Sequence, residues 1–186
     1  MYNNACDRSM NIRNRNLTNE FRKLWEQHIM WTRSFIISTA SDLPDLQLVT
    51  KRLLKNPNDF SNLLSQFYGK YKADEFEKLF TDHLIIAATL VNHAKSGNSN
   101  GVEQTRKQWY SNADDIAILL SSINPFWSFS EWQSLLYDHL KMTEDEAVYR
   151  LTGNYDADIV IYDTIEDEAL KMADLMAAGT KKYFCF

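Results

Sequence analysis

Phe21-Arg22-Lys23-Leu24-Trp25-Glu26-Gln27-His28-Ile29-Met30-Trp31-Thr32-Arg33-Ser34-Phe35 decides the fold class. Its large apolar residues, Phe21, Leu24, Trp31 and Phe35, recur at steps of three and four, the spacing that keeps side chains on one face of a 3.6-residue helix. His28 lies in the middle of that stripe. Thr18 with Glu20 behind it reads as an N-cap and an acid placed for the helix dipole, and the pattern predicts a helix from there to about Ala40. Ser41-Asp42-Leu43-Pro44 then stops one helix and opens another.

The same period continues along the chain. Ser41 to Leu54 and Phe60 to Tyr68 predict two short helices, separated by Asn56-Pro57-Asn58 and ended by Gly69. Phe76, Leu79, Phe80, His83, Ala87, Leu90 and Val91 predict a long helix over 73–95, closed by the plainest loop in the chain, Ser96-Gly97-Asn98-Ser99-Asn100-Gly101. A third runs over 102–123 with Trp109, Asn112, Ala113, Ile116 and Leu120 inward. After a cap at Ser128 or Ser130, Trp132, Leu135, Leu136 and His139 predict a helix over 131–140. Thr143-Glu144-Asp145-Glu146 has the form of a capping box and predicts a new start. The last helix, 156–178, carries Ile159, Tyr162, Glu166, Ala169, Leu170 and Ala173 on its expected inner face. No segment alternates with period two, so the expectation is an all-α, antiparallel four-helix-type bundle with additional short helices in its connections.

The 186 residues suit one core without disulfide or metal staples, and 45% hydrophobic with 13% aromatic content is that of a folded chain. The expected organisation is an Asn/Arg-rich disordered leader at 1–16, a single bundle domain at 17–180 and a tail at 181–186. A net charge of -5 lacks the concentrated Lys/Arg surface that phosphate neutralisation needs, which argues against a nucleic-acid partner. No apolar run reaches the roughly 20 residues that span a bilayer, and the start has no signal-peptide core, so the expected location is cytoplasmic, with no membrane partner. Cys6 and Cys185 have no zinc-ribbon or dithiol spacing, and their pairing stays open. The five glycines are scattered over helix ends and loops, without the Gly-rich cradle that phosphoryl transfer uses.

His28, His83 and His139 each occupy the centre of an apolar stripe on a different helix. A buried imidazole without a partner costs on the order of 1–3 kcal/mol, so each needs a hydrogen bond, a water or a metal. With Asn112, Asp115, Asp163 and Glu166 on the neighbouring helices, the three form a candidate His/carboxylate cluster for a transition metal (Fe, Mn or Zn) or a small-molecule ligand. The Glu-x-x-His and His-x-x-x-His pairs of familiar bundle metal sites are missing. The alternative from the same residues is a metal-free structural or protein-interaction module with a buried hydrogen-bond network, whose short helices over 46–67 would mediate association as a homodimer. His93, at a helix end, reads as a dipole partner. Trp25, Trp31, Trp109, Trp132 and Tyr162 are candidates for an aromatic pocket, against the plainer reading as core.

Two stretches carry a resemblance. Asn19 to His28, continuing through Trp31 to Ile36, and Leu136-Tyr137-Asp138-His139-Leu140-Lys141-Met142-Thr143-Glu144-Asp145-Glu146 resemble an uncharacterised all-helical family of spore-forming low-GC Gram-positive bacteria. Members often carry the label acetylglutamate kinase, and the resemblance covers nearly everything after residue 16. It implies an all-helical fold. Kinases of that name use an open α/β sheet with glycine-rich loops, and this pattern has neither, so the resemblance implies no phosphoryl transfer here.

Overall fold

The computed structural model describes the backbone of residues 3–185 and the side chains of residues 16–185. Among the described residues six helices follow one another: α1 (Asn3–Ala40), α2 (Leu46–Leu53), α3 (Asn56–Lys95), α4 (Ser99–Ile123), α5 (Phe129–Thr152) and α6 (Tyr155–Phe184). The described residues contain no strand, and the fold is all-α as the periodicity requires.

α3 is two rods. Gly69, at φ 77° and ψ 162°, takes a backbone conformation that residues with a Cβ rarely adopt, and the chain reverses there. Phe60 and Phe76 would lie about 24 Å apart along a straight helix. Their rings are 5.8 Å apart, and Asn58 Nδ2 donates to Glu77 Oε1 at 3.2 Å. The limbs 56–68 and 70–95 therefore pack antiparallel, the first as a full member of the bundle.

Cross-helix contacts fix the directions of the rest. Arg22 binds Asp174 and Arg33 binds Asp158, so α1 and α6 are antiparallel. His83 meets Asn112 across α3 and α4, Asp114 accepts from Tyr137 across α4 and α5, and Arg150 reaches Asp158 across α5 and α6. α1, the second limb of α3 and α5 thus run one way, and the first limb of α3, α4 and α6 run the other. The core between them holds Phe21, Trp25, Phe60, Phe80, Trp132 and Met172, all essentially solvent-free. α2 caps one end, where Val49 and Leu53 pack with Phe35, Ile36 and Leu84 in a smaller apolar cluster.

Three boundaries differ from the sequence expectation. Backbone helix is continuous from Asn3 through Thr18, so Thr18 is no cap, and its hydroxyl accepts from Lys181 at 2.5 Å. Of the expected leader at 1–16, the side chains of residues 1–15 lie outside the described residues, as does Cys6; Cys185 is an exposed free thiol. α5 runs unbroken through Thr143, which is buried and cannot cap, so the two expected helices over 131–152 are one. α6 continues past Gly179 to Phe184. That glycine is no stop signal: it lies inside the helix because a Cβ there would overlap the buried Trp127 indole. Among the described residues no helix is long and apolar enough to cross a membrane.

Candidate metal centre

The three like-directed helices carry the three histidines to one level. His28 comes from α1, His83 from the second limb of α3 and His139 from α5, and each is 1–2% exposed. One nitrogen from each ring can be chosen so that all three lie within 4.8 Å of one another. The ring of His28 is 5.6 Å from that of His139 and 6.4 Å from that of His83. Phe80 stacks on His28 at 4.8 Å and on His83 at 5.8 Å, and Trp25 stands edge-on to His28 at 5.5 Å. The group is therefore walled by aromatic carbon.

The three opposed rods supply an oxygen behind each ring. Asn112, on α4, donates from Nδ2 to the Leu79 carbonyl at 3.0 Å, and its Oδ1 lies 3.0 Å from His83 Nδ1. A backbone carbonyl only accepts, which fixes the amide orientation, and Oδ1 only accepts, which places the ring proton on Nδ1. His83 Nε2 is left with its lone pair. Asn56, at the start of α3, holds the matching place beside α1, because its Nδ2 donates to the carbonyl of Leu24, four residues before His28, as Leu79 lies four before His83. Its Oδ1 and His28 Nδ1 are both buried and make no hydrogen bond, yet Asn56 still supports the His28 charge. On α6, Glu168 Oε2 lies 3.3 Å from His139 Nδ1, within ion-pair range but off the hydrogen-bond line, so neither atom has a bonded partner. With Nδ1 of His83 and of His139 turned toward such an oxygen, Nε2 is the atom those two rings have to offer.

Burial sets the protonation. Desolvation, then the neighbouring His139 and His83, hold His28 well below the usual imidazole value. His83 is lowered to about 3 by desolvation and by His139, against the support of Asn112. Neutral imidazole is the form that ligates a metal.

Three of the expected cluster members are elsewhere. Glu166, Asp163 and Asp115 are exposed and face solvent. The inner face of α6 is set by Ile165, Ala169, Met172, Ala173 and Met176, and that phase brings in Glu168 rather than Glu166. Ile159, which anchored the expected phase, is 56% exposed. The residues that the stripe reading overlooked are Asn56 and Glu168. Asn56 sits in an Asn-Pro-Asn breaker, and nothing local marks it as buried. The small-residue and methionine spacing from Ala169 to Ala177 would have indicated Glu168.

The aromatic candidates do not form one pocket. Trp25 and Trp109 pack on the histidines, Trp109 at 5.3 Å from His83, whereas Trp132 lies in the core against Trp127 at 6.4 Å. Trp31 and Tyr162 are half-buried, and each carries a guanidinium on its face, Arg52 at 5.2 Å and Arg33 at 4.6 Å.

Two turns from His139 lies a second buried polar group. Arg33 binds Glu146 at 2.6 Å and Asp158 at 2.8 Å, and Arg150 reaches Asp158 at 3.3 Å. Both carboxylates are almost fully buried. Burial pushes the Glu146 carboxyl up to about 7 against the pull of Arg33, and burial likewise opposes the Arg33 charge, but the bonds to Asp158 and Glu146 outweigh it and raise that guanidinium.

Comparison with family models, with curated proteins and with solved structures gives no match for this chain.

Proposed function

We propose that the protein binds a divalent transition-metal ion through His28, His83 and His139, each ligating through Nε2, with Asn56, Asn112 and Glu168 orienting the rings from behind. The observation that carries this reading is the convergence of three buried imidazoles to within 4.8 Å, one of them with its tautomer fixed so that Nε2 faces away from its protein partner. Three nitrogens about 2.0–2.1 Å from a tetrahedral ion stand about 3.3 Å apart, so binding draws the rings inward by about an ångström. At His28 and His139 no made bond from behind holds the ring against this movement. Metal-bound histidines commonly keep Nδ1–H on a carboxylate, carbonyl or amide oxygen, the arrangement that Asn112 supplies.

The donor set favours Zn, Cu, Fe or Ni over Mn, and zinc is the ion put to test. Imidazole suits Zn, Cu, Fe and Ni, whereas Mn(II) prefers oxygen, and no carboxylate oxygen belongs to the trio. Three protein ligands leave a coordination position for an exogenous molecule, as in zinc sites that do chemistry.

Elemental analysis of tag-free protein purified without chelator, followed by zinc titration against a chromophoric chelator, tests the reading. We expect near-stoichiometric zinc that is lost in His83→Ala. Wild-type protein that takes up no Zn, Fe, Co or Cu after loading overturns it.

A further inference from the structure

One turn beyond the histidine layer lies a small cavity of about 20 Å³. Its position follows from the helix register: Thr32, Ala87 and Thr143, the residues four after His28, His83 and His139, all line it. Four residues are about 6 Å along a helix, so the cavity stacks directly on the proposed metal layer. Trp109 bridges the two, lining the cavity while its ring lies 5.3 Å from His83.

Its size admits a molecule of two heavy atoms, since one water-sized occupant needs about 10–15 Å³ on the same measure. Its chemistry narrows the class. Most of the lining is hydrocarbon from Phe35, Ile36, Leu84 and Val91, where a charged ligand would lose its hydration without return. A buried water wants two to four polar partners, and apolar cavities stay dry. Of the polar side chains in the wall, Thr32 is tied to the His28 carbonyl at 2.8 Å and Glu144 to Arg106. Trp109 Nε1 and Thr143 Oγ1 make no hydrogen bond but are themselves covered, so the surface that a ligand meets is hydrocarbon.

We infer that this cavity seats a neutral diatomic ligand, dioxygen being the case put to test, one helical turn from the metal. The seat lies beside the proposed metal layer but does not depend on the metal reading for its existence, and the two fail separately. Dioxygen is paramagnetic, so methyl relaxation of the whole protein under oxygen and under nitrogen reports where it resides, in metal-free and in zinc-loaded samples alike. We expect the oxygen-dependent relaxation at the methyls of Ile36, Leu84 and Val91 to exceed that at Leu140 and Met176, which are equally buried but outside the cavity, by about threefold. Ala147→Val and Ala88→Val, each filling the cavity from a different helix, should abolish the excess. A uniform enhancement across the core, an excess that survives both substitutions, or an ordered water that neither oxygen nor xenon displaces overturns the proposal. Absence of zinc uptake with a localised oxygen effect overturns the metal reading alone.

Discussion

The interior of this bundle contains two polar groups within two helical turns of each other, and they solve the problem of burial in opposite ways. The Arg33, Glu146, Asp158 and Arg150 group is charged and closed: two guanidinium groups meet two carboxylates, at 2.6–3.3 Å. The histidine group is neutral and open: burial has stripped protons from His28 and His83, and in the trio only His83 has a made hydrogen bond. A closed group is a cross-link between α1, α5 and α6. The open group leaves Nδ1 of His28 and of His139 without a made bond, so it ties its helices together less firmly than the charged group does.

The strongest way to break that contrast is to remove one member from each group and compare stability in chelator. Arg33→Ala leaves two carboxylates buried with only Arg150 nearby, and should destabilise by about 3–5 kcal/mol. His28→Leu removes a neutral ring with an unbonded nitrogen and replaces it by a side chain of similar volume, and should change stability by less than about 1.5 kcal/mol in either direction. Urea denaturation of both variants decides it. Equal losses would mean that the histidines, too, are a structural tie.

The same contrast predicts how the zinc affinity responds to residues that never touch the ion. Asn112→Ala frees the His83 ring and its tautomer, and loss of such a partner weakens metal binding by about 10–100-fold. Arg33→Lys, at the closed group, should leave affinity unchanged within about twofold, since it touches none of the ligands or their partners. Competition with a chelator measures both. An unaffected Asn112→Ala would sever the argument from tautomer to ligation.

Acid separates the two groups by sign. In the unfolded chain His28 and His83 take up protons below about pH 6.5, whereas in the folded chain His83 does so only near pH 3 and His28 well below 6.5. The unfolded state then binds more protons, and stability falls as pH falls below 6.5. Glu146 acts oppositely: its folded carboxyl takes a proton below about 7 and its unfolded one below 4.5, so its contribution is lost as pH rises through that window. Below pH 6.5 the histidines and the carboxyl oppose one another, and with two imidazoles lowered against one carboxyl raised the net loss is toward acid. The double variant His28→Leu/His83→Leu should reverse that slope. Urea midpoints of metal-free protein at pH 5.0, 5.5 and 6.0 are the measurement, and a slope that keeps its sign in the double variant refutes the assignment.

Much of this was legible in the sequence, for a physical reason. Three residues on separate stripes each occupied a central position, and a stripe centre must face the core whatever the neighbouring helices do, so the burial of His28, His83 and His139 followed from periodicity, whereas their meeting at one level depends on the axial register of the helices, which periodicity does not give. Partners were harder to read, because they depend on the phase of a second helix. On α6 an error of two residues exchanges Glu168 for Glu166 and turns the carboxylate from core to solvent. Capping signals misled where burial overrode them: Thr143-Glu144-Asp145-Glu146 fits a helix start, yet Thr143 and Glu146 face the interior of a continuous helix. The reversal at Gly69 was visible as a break, but not that Asn56, at the head of the returning limb, would reach back to α1.

Thr143 offers the finest test of the difference between the groups. It is a buried threonine of the open region with no hydrogen bond to its hydroxyl, beside Trp109 in the cavity wall and four residues beyond His139. An unsatisfied buried hydroxyl costs about 1–3 kcal/mol, part of which returns when it is replaced by a methyl of the same shape. Thr143→Val should therefore stabilise the metal-free protein by about 1 kcal/mol, whereas a threonine that served the fold would cost about as much when changed. Because Val keeps the β-branched outline and the helix propensity of Thr, the sign of the change reports the hydroxyl alone. A Tm that rises in Thr143→Val would show that the hydroxyl has no partner in the fold. A Tm that drops would give it a partner inside the fold and close the open region at that point.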